Sequence, residues 1–196
     1  MIFTKTEIEV LKLFTSKIKD TFTIRETARL IKKDVKIVHT SVKRLIMESF
    51  LIKEKHNGLR LNLQKNMQDL AYIENLRKEL FYRRNPLLKA YFERFIFWTK
   101  QPFFCLLVFG SYADNTNKEK SDVDILLLTD GHIVETEKEF IAKISTIDLP
   151  THVTSLSCKE FIDLLKRKEL NLAAETLNKH IIIYGAESYY KMLGEI

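Results

Sequence analysis

The sequence predicts an α+β chain built from two modules. Three observations carry that expectation. Residues 1–65 show three stretches of helical periodicity followed by two short β-like runs. The second half holds a continuous apolar strand, Phe103–Phe109, then Gly110-Ser111, a polar loop and a second apolar strand opened by acidic residues. Between the halves runs a helical stretch with no Gly or Pro.

Composition sets the outer bounds. The 196 residues are 45% hydrophobic and 30% charged, which excludes a collagen-like or broadly disordered chain. No apolar run approaches the ~20 residues of a membrane helix, so no membrane partner is expected. The first residues turn polar at once, without the pattern of a secretory signal, and a cytoplasmic protein is the expectation. The net charge is +6, unevenly spread: residues 1–65 carry 15 Lys and Arg against 7 Asp and Glu, whereas residues 101–196 carry 10 against 15. A basic front and an acidic back point to modules with different partners. Cys105 and Cys158 form no CxxC, and the five histidines show no zinc spacing. Neither GxGxxG nor GxxxxGK[ST] occurs.

Along the front module, Ile8, Leu11 and Phe14 set a first helix over 7–17. Thr23 and Glu26 form a capping-box pattern that opens a second, with Ile24, Ala28, Leu30 and Ile31 inward. A third runs over 36–49 with Val38, Val42, Leu45 and Ile46 inward, leaving His39, Thr40, Lys43 and Arg44 outward. Two short strands follow, 51–55 and 59–63, with Asn57-Gly58 suited to a tight hairpin turn. The boundaries are read as 1–65, a helical connector over 66–84 with Met67, Leu70, Ile73, Leu76 and Leu80 in step, and a second domain over 85–196, opened by Asn85-Pro86. The next helix, 87–99, is rich in aromatic residues and apolar around most of its circumference, and is expected to be buried; a homodimer contact or a base-stacking platform are the other readings.

Three helices and a hairpin within 65 basic residues resemble a winged helix-turn-helix. That resemblance implies binding of duplex DNA, with His39, Thr40, Lys43 and Arg44 on the helix facing the major groove and Lys53, Lys55 and Arg60 on a wing meeting phosphate. The other reading is a protein-docking module whose charges are merely solvated.

The chemistry lies in the second domain. Asp122 and Asp124, two apart in a strand, point to the same side at the mouth of an apolar run. Two carboxylates ~5 Å apart repel by a few kcal/mol at an effective dielectric of ~20, and a divalent cation relieves that cost. Oxygen-only donors favour Mg²⁺ or Mn²⁺ over zinc. Gly110 permits a sharp turn and close approach, and Ser111 offers a hydroxyl and an amide to a phosphate oxygen.

Gly110-Ser111, the loop, and Ser121-Asp122-Val123-Asp124 leading into an apolar strand resemble the DNA polymerase β nucleotidyltransferase superfamily, and within it the minimal prokaryotic members. The resemblance implies that Gly110 and Ser111 hold a nucleoside triphosphate, that Asp122 and Asp124 are catalytic and bind the metal, and that a nucleoside monophosphate passes to an acceptor hydroxyl. It also implies a third carboxylate on a neighbouring strand. The next strand, 151–156, has none; His152 stands there as a base, with Asp148 just before it. Asp114 stands where many relatives have Arg, with Lys118 and Lys120 nearby. The alternative is a DNA-binding transcription regulator whose second domain senses a nucleotide or docks a partner. A likeness to antitoxins of this fold adds a toxin partner, or another protein acceptor.

Overall fold

Three helices open by the same reciprocal device, a hydroxyl accepting from the third helical amide while the Glu at that position accepts from the cap amide. Thr4 and Glu7 start α1 (Lys5–Ser16), Thr23 and Glu26 start α2 (Ile24–Leu30), and Ser157 and Glu160 start α8 (Cys158–Lys166). The computed structural model describes residues 2–101, 103–119, 121–144, 149–167 and 171–195.

Asp34 caps α3 (Val35–Met47) through the Lys36 amide. Val10, Leu11 and Phe14 of α1 pack with Ala28, Val38, Val42 and Leu45 in one buried cluster. Leu30, expected inward, is 44% exposed. It follows buried Ala28 by two residues, about 200° around the helix, so both cannot face the core.

Strands β1 (Leu51–Lys53) and β2 (Leu59–Leu61) pair antiparallel, with Leu51 opposite Leu61 and Lys53 opposite Leu59. Phe22 adds a bridge to Leu59. The hairpin does not turn on Asn57-Gly58. Glu54 donates its amide to the Gly58 carbonyl, and a 3-10 turn at Lys55–Asn57 fills the loop. The left-handed residues are His56 and Asn57, at φ 57° and 61°. This register places five residues between the strands, so Leu59 pairs with Lys53 and not with His56 as a two-residue Asn-Gly hairpin would require.

Helix α4 (Met67–Arg84) buries Leu70, Ile73, Glu74, Arg77, Phe81 and Tyr82. Leu80, expected on the apolar row, is 45% exposed. An ion pair, Arg77 with Glu74, occupies part of the inward face instead. After Asn85 the chain turns, and Pro86 takes the first position of α5 (Pro86–Trp98), where its missing N–H costs nothing. Leu88, Phe92 and Phe95 are buried, but Phe97 is 77% and Trp98 60% exposed, so the helix is not buried all round.

The main sheet has the order β5-β4-β3-β6. Strand β3 (Cys105–Phe109) runs antiparallel to β4 (Val123–Leu128) and to β6 (His180–Tyr184); β4 and β5 (Thr151–Leu156) are parallel. Successive strand residues face opposite sides. Cys105, Leu107, Phe109, Leu126, Leu128 and Ile182 share a core with the front helices and with Tyr189, Tyr190 and Leu193 of α10 (Ala186–Leu193). Leu106, Val108, Ile125, Leu127 and Ile183 pack instead on α5 and on Phe140 and Ile144 of α7 (Ile133–Ile144). The chain is thus mixed α+β, with a small hairpin, a four-stranded sheet and helices on both sheet faces. Among the described residues no helix is long and apolar enough to cross a membrane.

Candidate functional site

The site forms where β3 ends and β4 begins. Phe109 pairs with Asp124, and Gly110 then leaves the strand at φ +67° to start the short helix α6 (Gly110–Asp114). A Cβ on Gly110 would lie 2.6 Å from Asp124 Oδ2. Glycine is therefore required twice, for its left-handed backbone and for the carboxylate over its Cα. Ser111 follows, half-buried, and its carbonyl accepts from the Thr116 amide at 2.9 Å.

The loop back to β4 is closed by Ser121, whose hydroxyl accepts from the Lys118 amide at 2.8 Å while its own amide donates to the Lys118 carbonyl. Asp122 sits exposed one residue before the strand, and Val123 bonds to the Pro150 carbonyl, setting the parallel register with β5. That register puts Asp124 beside His152, whose Nδ1 lies 3.9 Å from Asp124 Oδ1. His152 is largely exposed, free to reach an approaching group.

Burial raises the pKa of Asp124, His152 opposes the shift, and the charges of Glu175 and Asp122 add to it. Two further carboxylates thus bear on Asp124 at the sheet end, a cost that a cation there would remove. Glu175 had no signal in the sequence beyond its helix, α9 (Leu172–Thr176), because only the β3–β6 pairing brings α9 to this end of the sheet. Lys179 was likewise missed: its Nζ lies 3.8 Å from Asp114, supplying the counter-charge sought from Lys118 and Lys120. Lys118 is exposed. Lys120 and Asp148 lie outside the described residues. Strand β5 contains no carboxylate, and among the described residues no group of three or more His, Cys, Asp or Glu side chains forms a ready metal cage. The donor set nonetheless fits a hard cation. Asp122 and Asp124 could supply two oxygen ligands and leave room for water, which is how Mg²⁺ is commonly held.

The exposed aromatic pair Phe97 and Trp98 stands away from this site. Gln101, just beyond them, bonds Thr129 and the Gly131 carbonyl after the far end of β4.

In the front module His39, Thr40 and Lys43 are exposed on α3, and Lys53 and Lys55 on the hairpin. Arg44 is differently placed. Its guanidinium donates to Glu7, a buried carboxylate, at 3.2 Å and to the Ile2 carbonyl at 3.2 Å. Arg60 is paired with Glu54.

No curated protein sequence matches the chain. Among solved structures it is similar to one described as "Structure of TrmBL2, an archaeal chromatin protein, shows a novel mode of DNA binding", at 15% identity and a TM-score of 0.29, over 98% of this chain and 91% of that one. Residues 96–189 match the family model described as "Polymerase beta, Nucleotidyltransferase", and this stretch contains Gly110, Ser111, Asp122, Asp124 and His152.

Proposed function

We propose that the chain is a nucleotidyltransferase that binds a nucleoside triphosphate with Mg²⁺ or Mn²⁺ and transfers the nucleoside monophosphate to an acceptor hydroxyl. In this reading residues 1–65 are a winged helix-turn-helix that binds duplex DNA, residues 66–84 a connector, and residues 85–196 the transferase domain. The observation that carries the reading is the Asp124 carboxylate seated over Gly110, with Asp122 two residues earlier, inside the stretch matched by the family model.

Asp122 and Asp124 would hold the metal ion, which when bound neutralises charge on the phosphates. Gly110 leaves the space in which the Asp124 carboxylate sits, and Ser111 donates to a phosphate oxygen. The acceptor oxygen attacks the α-phosphorus, the bond to the β-phosphate oxygen breaks, and pyrophosphate leaves. The acceptor proton passes to His152, whose imidazole stands beside Asp124.

The test is calorimetry of the full chain with NTP and Mg²⁺, followed by incubation with labelled NTP and candidate protein and nucleic-acid acceptors. Metal-dependent affinity that vanishes in Asp122→Asn/Asp124→Asn, with label transferred, is the expected result; absence of metal-dependent affinity in the wild type overturns it. One observation favours a second reading, a DNA-binding regulator with a non-catalytic back domain: β5 supplies no third carboxylate. That reading gives NTP affinity without transfer.

A further inference from the structure

A hollow of about 550 Å³ opens between α2, α3 and the hairpin, and its wall includes Arg25, His39, Lys53 and His56. Three separate elements supply these side chains. All four are exposed, and among the described residues none of them is ion-paired. The acids close by are already engaged. Glu26 accepts from the Thr23 amide and hydroxyl at 2.7 and 2.8 Å, and Glu54 is held by Arg60. A concave wall of one sign, without a carboxylate in its lining, concentrates field on an anion.

The hairpin adds a second observation. His56 occupies left-handed backbone at φ 57°, although Gly58, which adopts that conformation without strain, stands two residues on at φ −66°. Left-handed backbone at a non-glycine residue costs about 1–3 kcal/mol. Here it accompanies an imidazole on the wall of the hollow, across from α3.

We propose that this hollow is a proton-linked phosphate site. Arg25 and Lys53 hold one backbone phosphate of a bound duplex at any pH, and His39 and His56 join only when protonated. This rests on the DNA-binding reading and adds a site and a regulation to it: affinity rises as the solution becomes acidic through the range in which imidazoles charge. Arg25 and Lys53 share the wall with the two histidines; the charged groups next to them along the chain are the capped Glu26 on α2, Lys36 and Lys43 within one turn of His39 on α3, and Lys55 and the Glu54–Arg60 pair on the hairpin. Apart from the two engaged carboxylates all are cationic, so an arriving phosphate is the main partner for the added protons.

The test is fluorescence anisotropy of the full chain with a short mixed-sequence duplex at constant ionic strength, at about pH 6 and about pH 8. Wild type is expected to bind about tenfold more tightly at the lower pH. His39→Gln/His56→Asn, chosen because Asn tolerates left-handed backbone, is expected to lose the pH dependence, whatever its affinity at about pH 8. Arg25→Gln is expected to weaken binding at both pH values while keeping their ratio. Duplex binding with no pH dependence, or a pH dependence surviving in the double variant, overturns the site and leaves the DNA reading standing. Absence of duplex binding at both values overturns both. In a parallel arm, histidine proton resonances are followed by NMR. Movement of the His39 and His56 signals by inorganic triphosphate but not by duplex overturns nucleic acid as the source of the phosphate.

Discussion

His180 Nε2 lies 3.7 Å from Glu74 Oε1, and both side chains are shut off from solvent. Arg77 joins them, donating to both Glu74 oxygens at 2.7 Å, to the Thr15 carbonyl at 3.2 Å and to the His180 carbonyl. Tyr190 donates to Glu74 at 2.7 Å. One ionic cluster thus ties α4 to α1, β6 and α10. Neither ring nitrogen of His180 finds a hydrogen-bond partner among the described residues.

That cluster makes stability fall with acid. Burial pushes the His180 pKa down more than the charge of Glu74 raises it, so the unfolded chain binds a proton that the folded chain does not. The stability this represents is present above the unfolded value of about 6.5 and is lost as pH falls below it. Burial also pushes Glu74 up, but Arg77, His180 and Tyr190 outweigh it and hold the carboxyl low. Its contribution is present above the unfolded value of about 4.3 and is lost at still lower pH. Thermal melts are expected to show a midpoint that declines in two stages; a flat profile from neutral pH to about pH 4 would contradict this.

Arg77→Met is expected to cost about 3–5 kcal/mol in denaturant unfolding, because it leaves the Glu74 charge buried and unpaired. Adding Glu74→Leu is expected to recover much of the loss. Non-recovery would mean that the bonds to the Thr15 and His180 carbonyls, not the ion pair, dominate.

Gly110→Ala is expected to lower stability by about 1–3 kcal/mol, since alanine strains at φ +67° and its methyl meets the Asp124 carboxylate. The same displacement of Asp124 predicts lost metal–NTP affinity in calorimetry. Unchanged affinity would detach Gly110 from the site.

Asp124→Asn is expected to separate stability from function. The pKa of Asp124 is raised by burial and by its acidic neighbours, so its ionised form costs stability as pH rises through that value. The variant is expected to melt higher than wild type at neutral pH while losing metal-dependent NTP binding. A lower midpoint would place the carboxylate among the stabilising groups instead.

Lys43→Ala and Lys53→Ala are each expected to reduce the slope of log K against log salt for duplex binding by about 0.9, the value for one phosphate contact. Arg44→Ala is expected to act mainly on stability, because Arg44 is bound to the buried Glu7. An equal slope change for all three would free Arg44 from that role.

Local chemistry was legible in the chain. Thr23-Glu26 announces its helix because the cap and its partner are three residues apart, and Gly110-Ser111 and Asp122-Asp124 mark the candidate site because each pair adjoins an apolar strand. The hairpin turn was misread, since Asn-Gly favours a two-residue loop but strand register decides which residues become left-handed. Phe97 and Trp98 were misread because hydrophobicity ranks a residue without saying which face of its helix finds a neighbour.

Periodicity, caps and the alternation of strand residues operate over a few positions, and they were enough to establish the mixed α+β class and the pair of aspartates. Which distant groups meet depended on strand order. Only the packed sheet brings His152 beside Asp124, Glu175 into the same field, Lys179 to Asp114, and His180 with Arg77 to the buried carboxylate of Glu74. The reason is physical: charge interactions act through space and are strengthened by burial, and neither distance nor burial is written in local sequence.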